Sequence, residues 1–217
     1  MKITDSRFFK PAVLGAILLA GGTATQAQDN VMDNLHFNLD WQVNAPVSTD
    51  FANKISGWGM NFETNYNLTP YWSVGGFVNF HTNHRYVPMQ TMQLPESQTE
   101  YITTDQQQSA YQLPFGVNVR YNFVPEGIGH VRPYVGVKTG AMYAKNTTYL
   151  NSEGYYDNPW GYYVAPEVGL TIYPNSNGRF GFHVAGYFSY ATNQSKLYLG
   201  EDLDGQKNVG FRVGITF

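Results

Sequence analysis

Strict alternation of apolar and polar residues recurs along this chain about eight times, and a period of two is the signature of half-buried β-strands. The last repeat shows it most cleanly. Val209, Phe211, Val213, Ile215 and Phe217 share one face, and Gly210, Arg212, Gly214 and Thr216 the other. The same pattern runs through 35–44, 58–68, 72–81, 111–123, 131–143, 160–172 and 180–190. Pro114, Pro133 and Pro166 fall inside these runs, and a proline that cannot donate to a ladder predicts a bulge or a strand start there. The connections alternate in length. Those at 69–71, 125–130 and 175–178 are short, whereas 45–56, 84–109, 144–159 and 191–207 are long and polar. Asn175-Ser-Asn-Gly178 reads as a hairpin turn, since Asn and Gly accept positive φ.

Glycine decides which face points inward. Gly59, Gly75, Gly116, Gly136, Gly140, Gly161, Gly169, Gly181, Gly210 and Gly214 lie on the polar face, against Gly76 and Gly186 on the apolar one. Glycine weakens an exposed strand, but the crowded interior of a narrow barrel needs it. Aromatics gather at both ends of the apolar face. Tyr66, Trp72, Tyr121, Phe123, Phe180 and Phe217 mark the short-turn end. Trp41, Tyr111, Tyr143, Trp160, Tyr162 and Tyr190 mark the long-loop end. Two such belts are the interfacial girdles of a membrane barrel. The expected fold is all-β: a transmembrane antiparallel up-and-down barrel of about eight strands, polar inside and apolar outside.

The N-terminus supplies an address. Lys2, Arg7 and Lys10 precede the apolar run Ala12–Ala20, and small residues lead to Ala27. This pattern predicts a cleaved signal peptide over residues 1–27 and a mature barrel domain over 28–217. Without Lys2, Arg7, Lys10 and Asp5 the 13 basic and 16 acidic side chains fall to 10 and 15, a net charge of −5. That balance argues against nucleic acid as a partner. The chain has no cysteine, so it carries neither a disulfide framework nor a lipid-modified Cys.

Over residues 35–217 the chain resembles the small OmpA/OmpX/opacity-type outer-membrane proteins, through its signal peptide, its repeats, its loop asymmetry and its terminal Phe217. The resemblance implies a Gram-negative outer membrane, with outer-membrane lipid and lipopolysaccharide as surroundings. It also implies barrel-assembly machinery that reads Phe217 during insertion. Nothing follows Phe217, so the periplasmic peptidoglycan-binding domain of full-length OmpA-type proteins is expected to be absent.

The inward charges are Asp40, Glu63 and Glu167 against Arg120, Arg132, Lys138 and Arg212. All except Arg132 fall at mid-strand height, which predicts an ion network of Asp40, Glu63, Arg120, Lys138, Glu167 and Arg212. On adjacent strands, Arg120, Lys138 and Glu167 form one expected group and Arg212, Asp40 and Glu63 another. Unpaired charges there would cost several kcal/mol each, so the network is expected to plug the lumen; a gate for small ions is the alternative. His36, His81 and His183 face inward, His84 stands at a loop base and His130 beside a turn. None pairs recognisably with a Ser and a carboxylate, and His81-Thr-Asn-His84 lacks a third zinc ligand. No catalytic residue, metal or cofactor is expected, a lipid-modifying enzyme or protease being the least favoured reading. The long loops carry Tyr86, Met89, Met92 and Tyr101, then Tyr149, Tyr155, Tyr156, Trp160 and Tyr163. Exposed aromatics of this kind suit contact with an extracellular ligand. The expected role is envelope structure or loop-mediated adhesion.

Overall fold

The structure, a computed structural model, describes residues 34–93, 99–125, 128–150, 153–175, 179–197 and 202–217. The expected signal peptide lies outside them, as do 176–178 of the expected Asn-Gly turn. The strands are β1 (Leu35–Pro46), β2 (Gly59–Asn67), β3 (Trp72–Gln93), β4 (Tyr101–Asn122), β5 (Val131–Leu150), β6 (Glu153–Asp157), β7 (Trp160–Ile172), β8 (Gly181–Ser195) and β9 (Leu203–Thr216). Each pairs antiparallel with its neighbours, and β1 pairs with both β2 and β9. With β4 on β5 and β5 on β7, eight strands close into a ring, leaving β6 as a flap on the outer end of β5. The fold is an up-and-down barrel.

The alternation sets the two faces as expected. Along β1, His36, Asn38, Asp40, Gln42 and Asn44 are buried inside, while Leu39 and Trp41 are exposed outside. A row of Val, Leu and Phe covers the outer wall, which suits hydrocarbon rather than water. At the short-turn end Trp72 packs 5.0 Å from Tyr121, and Phe37 stacks 5.8 Å from Phe217. At the other end Trp160 meets Tyr143 at 5.2 Å, and Trp41 meets Phe211 at 6.1 Å. Short turns are tied by local bonds. Leu68 N donates to Trp72 O, and Trp72 N to Thr69 Oγ1, both at 2.9 Å.

Three of the expected long loops are largely strand. The β3–β4 ladder continues beyond the barrel to Gln93↔Tyr101, β5 runs on to Leu150, and β8 and β9 extend to Ser195 and from Leu203. Alternation fails as a signal there because neither face is buried in lipid; cross-strand pairing and buried polar side chains such as Gln106, Asn146 and Thr148 hold these extensions. Two bulges interrupt them: Pro88 and Met89 oppose a single residue of β4, and Thr192 and Asn193 oppose Gly205, whose φ is +86°. The prolines inside the barrel behave differently from the expectation. Pro133 is indeed near a strand start. Pro114 and Pro166 mark neither start nor bulge, because the register is the same on both sides of each. Each sits where a ladder lapses, between Val78↔Phe115 and His81↔Gln112, and between Val164↔Tyr190 and Glu167↔Tyr187. A missing N–H costs least where no pair forms.

Candidate functional site

The centre of the lumen is a five-residue ionic cluster. Arg120 Nη2 lies 2.6 Å from Glu63 Oε1 and 3.2 Å from Glu167 Oε1. Lys138 Nζ lies 2.7 Å from Glu63 Oε2 and 3.0 Å from Glu167 Oε2. Arg212 Nη1 completes the set by pairing with Glu167 Oε2. Amides fill the remaining positions: Asn118 and Asn65 donate to Glu63 Oε1 at 2.5 and 3.0 Å, and Gln42 Oε1 accepts from Arg212 Nε at 2.8 Å. Arg120 and Arg212 also lie over the rings of Tyr134 and Tyr187, 4.1 and 4.0 Å from their centroids. Every member is buried.

The six expected residues therefore do not divide into two triads. Arg212 leaves Asp40 and Glu63 for Glu167, and Asp40 turns to a residue that the expected network did not include. His183 Nδ1 lies 2.7 Å from Asp40 Oδ1, and Asn61 Nδ2 donates to Asp40 Oδ2 at 2.8 Å. His183 Nε2 is 2.6 Å from the Tyr134 hydroxyl, which donates to Glu167 Oε1 at 3.0 Å. Asp40 is thus wired to the cluster through an imidazole and a phenol. The register brings them together: Asp40 and His183 both pair with Gly214, which has no side chain to separate them. Further out, His81 Nδ1 accepts from Gln42 Nε2 at 3.3 Å, and its Nε2 donates to Gln112 Oε1 at 2.8 Å. Both histidines are fully buried, and among the described residues neither is hydrogen-bonded to a serine.

A second closure covers the outer mouth. The β1–β2 connection folds inward, putting Phe51 and Ala52 into a buried cluster with Ala110, against Leu197 and Leu203. Ser48 and Ala52 take positive φ, +59° and +47°, to make the entry and return. Lys54 N donates to His84 O at 3.2 Å, and Asn83 Nδ2 donates to Lys54 O at 2.9 Å, which fix this cap to β3. Above it lies an open cup of about 800 Å³ lined by Asp50, Arg85, Gln108, Asp202 and Asp204 among others. Tyr86, Met89, Tyr101, Tyr149 and Tyr156 are exposed on the strand extensions of the same end, with Lys145 Nζ 5.5 Å from the Tyr156 ring. Tyr163 does not belong to this group. It points into the lumen and packs 5.8 Å from Phe77.

The inner mouth has a smaller cavity of about 40 Å³ between the short turns, bordered by His36, Arg120, Arg132 and Tyr173 together with several amides and hydroxyls. Arg132 lies 4.2 Å over the Tyr173 ring. Phe217, expected to be read during assembly, sits on the rim of the same end: its N–H donates to Phe37 O at 3.0 Å, and its carbonyl accepts from Phe37 N at 2.8 Å.

A closed eight-stranded ring, apolar and aromatic-belted outside and ionic within, defines an outer-membrane β-barrel protein. Its sequence bears this out: the outer membrane protein beta-barrel domain matches residues 14–217, and the chain belongs to that family. None of the curated proteins matches it. Solved structures resemble it distantly. Neisserial surface protein A is 11% identical with a TM-score of 0.49, over 84% of this chain and 96% of that one. Ail of Yersinia pestis is 13% identical with a TM-score of 0.41, over 84% and 96%. OprG of Pseudomonas aeruginosa is 13% identical with a TM-score of 0.42, over 84% and 93%.

Proposed function

We propose that this protein is a sealed structural barrel of the outer membrane whose working surface is its outer rim, where exposed aromatics contact an extracellular ligand. The observation that carries this reading is the double closure of the lumen, ionic at the centre and apolar at Phe51. An eight-stranded interior is just filled by side chains, so binding falls to the surface outside. The aromatic residues Tyr86, Tyr101, Tyr149 and Tyr156 offer large contact area on strands rather than floppy loops. Lipid and lipopolysaccharide surround the wall, and assembly machinery engages Phe217; a Phe217→Ala chain is expected to assemble more slowly into membranes in a reconstituted insertion assay. No catalytic role belongs to this reading. A lipid- or peptide-modifying activity lost in His81→Ala or His183→Ala would overturn that part.

One observation favours a gated pore as the second reading. Arg120 and Lys138 each touch both carboxylates, so either cation has a second partner to move to. Planar-bilayer recording separates the two. The sealed reading expects no conductance above the bare bilayer for the wild type. A steady wild-type open state altered by Glu63→Gln would select the pore. The rim is tested by binding of the refolded protein to glycan and matrix-protein surfaces, which replacing the four tyrosines by alanine should abolish.

A further inference from the structure

We propose that the inner mouth of the barrel is a binding site for a tetrahedral oxyanion, a phosphate or sulfate group presented from the periplasmic side. The lining of the cavity is one-sided in charge: Arg120 and Arg132 contribute to it, and none of its lining residues is acidic. Apart from Pro70 and Val124, the rest of the wall carries side chains that can donate hydrogen bonds, Ser73 and Thr171 among them. The carboxylates of the lumen lie deeper. Glu63 and Glu167 are turned to the central cluster, where Arg120, Lys138 and Arg212 compensate them.

A second observation comes from Arg120 itself. This residue is 6% exposed and spends Nη2 on both carboxylates, yet its Nε has no hydrogen-bond partner among the described residues. A buried guanidinium N–H left unmade is costly, and a ligand in the cavity that Arg120 borders would satisfy it. The size is suitable. A single water needs roughly 10–15 Å³ measured in this way, so about 40 Å³ holds the equivalent of a few waters, the volume an oxyanion displaces. The site goes beyond the proposed rim function, since it lies at the opposite end of the barrel.

The test is titration of the refolded full barrel in a phosphate-free nonionic detergent, followed by backbone amide NMR shifts. Inorganic phosphate and sulfate should shift the amides of Ser73, Asn122, Arg132 and Thr171 along one saturable curve, while chloride at matched ionic strength should not. Arg132→Gln should weaken the affinity by about tenfold or more, because a charged donor is lost. Thr171→Val, which removes one hydroxyl donor, is the second variant and should weaken it less. A barrel in nanodiscs containing phosphatidylglycerol distinguishes the source: shifts already present there assign a lipid headgroup, and shifts appearing only on adding phosphate assign a free anion. Shifts that never saturate, that chloride reproduces, or that survive unchanged in both variants would overturn the proposal.

Discussion

Gly136 and Gly214 each stand between two ionisable residues on the flanking strands, and the missing side chain is what lets those partners touch. Arg120 and Glu167 both pair with Gly136, and a Cβ there would come within 3.1 Å of the Arg120 chain and 3.5 Å of Glu167. Gly214 stands between Asp40 and His183, and a Cβ there would come within 2.5 Å of Asp40 Oδ1 and 2.1 Å of Leu39 O. Glycines on the polar face are expected to spare lumen space, but several spare neighbouring backbone instead. Gly116 and Gly140 face each other, and a Cβ on Gly116 would lie 2.2 Å from Thr139 O and 2.7 Å from Gly140 Cα. Neither atom can rotate away, so Gly116→Ala is expected to block folding, read as loss of the heat-modifiable gel band. Gly186 faces outward with nothing within 4 Å of a Cβ. Gly186→Ala should fold normally and gain about 0.5–1 kcal/mol from a less flexible unfolded chain. The ionic cluster makes a graded prediction. Glu167 holds three cations and Glu63 two. Glu167→Gln should therefore cost more in urea unfolding from lipid vesicles than Glu63→Gln, at about 3–5 kcal/mol for a broken buried pair.

Among elements, legibility followed the solvent. β1, β2 and β7 could be bounded from alternation to within a few residues, because one face meets hydrocarbon and the other a polar interior. The outer halves of β3, β4 and β5 could not, since polar Thr, Gln and Asn stand on the buried face as well as the exposed one and carry no apolar period. The cap was equally hidden. Phe51 and Ala52 sit in a polar stretch, and nothing local says that the chain doubles back over the mouth. Which charges lie inside was readable from the face of each strand. Their pairing was not, because it depends on stagger between strands, which the hairpin lengths do not fix. The cap and the cluster should act independently. Phe51→Ala is expected to speed hydrogen exchange at the Ala52 amide, which donates to Gln108 Oε1 at 3.3 Å. It should leave bilayer conductance at baseline, since the ionic cluster still closes the centre.

At the scale of the whole molecule, the ring is completed by its first and last strands. β1 and β9 pair from Asn38↔Thr216 to Pro46↔Asn208, and Phe37 exchanges both backbone bonds with Phe217. These partners are separated by nearly the entire described chain, so no local hairpin can stand in for them, and the loop that must close is the longest in the fold. Until β9 arrives, every partly built sheet has two raw edges, and such edges recruit whatever strand is nearest. The molecule therefore has no stable half-way form to wait in. A copy that loses either of these two strands is expected to aggregate rather than close as a smaller barrel.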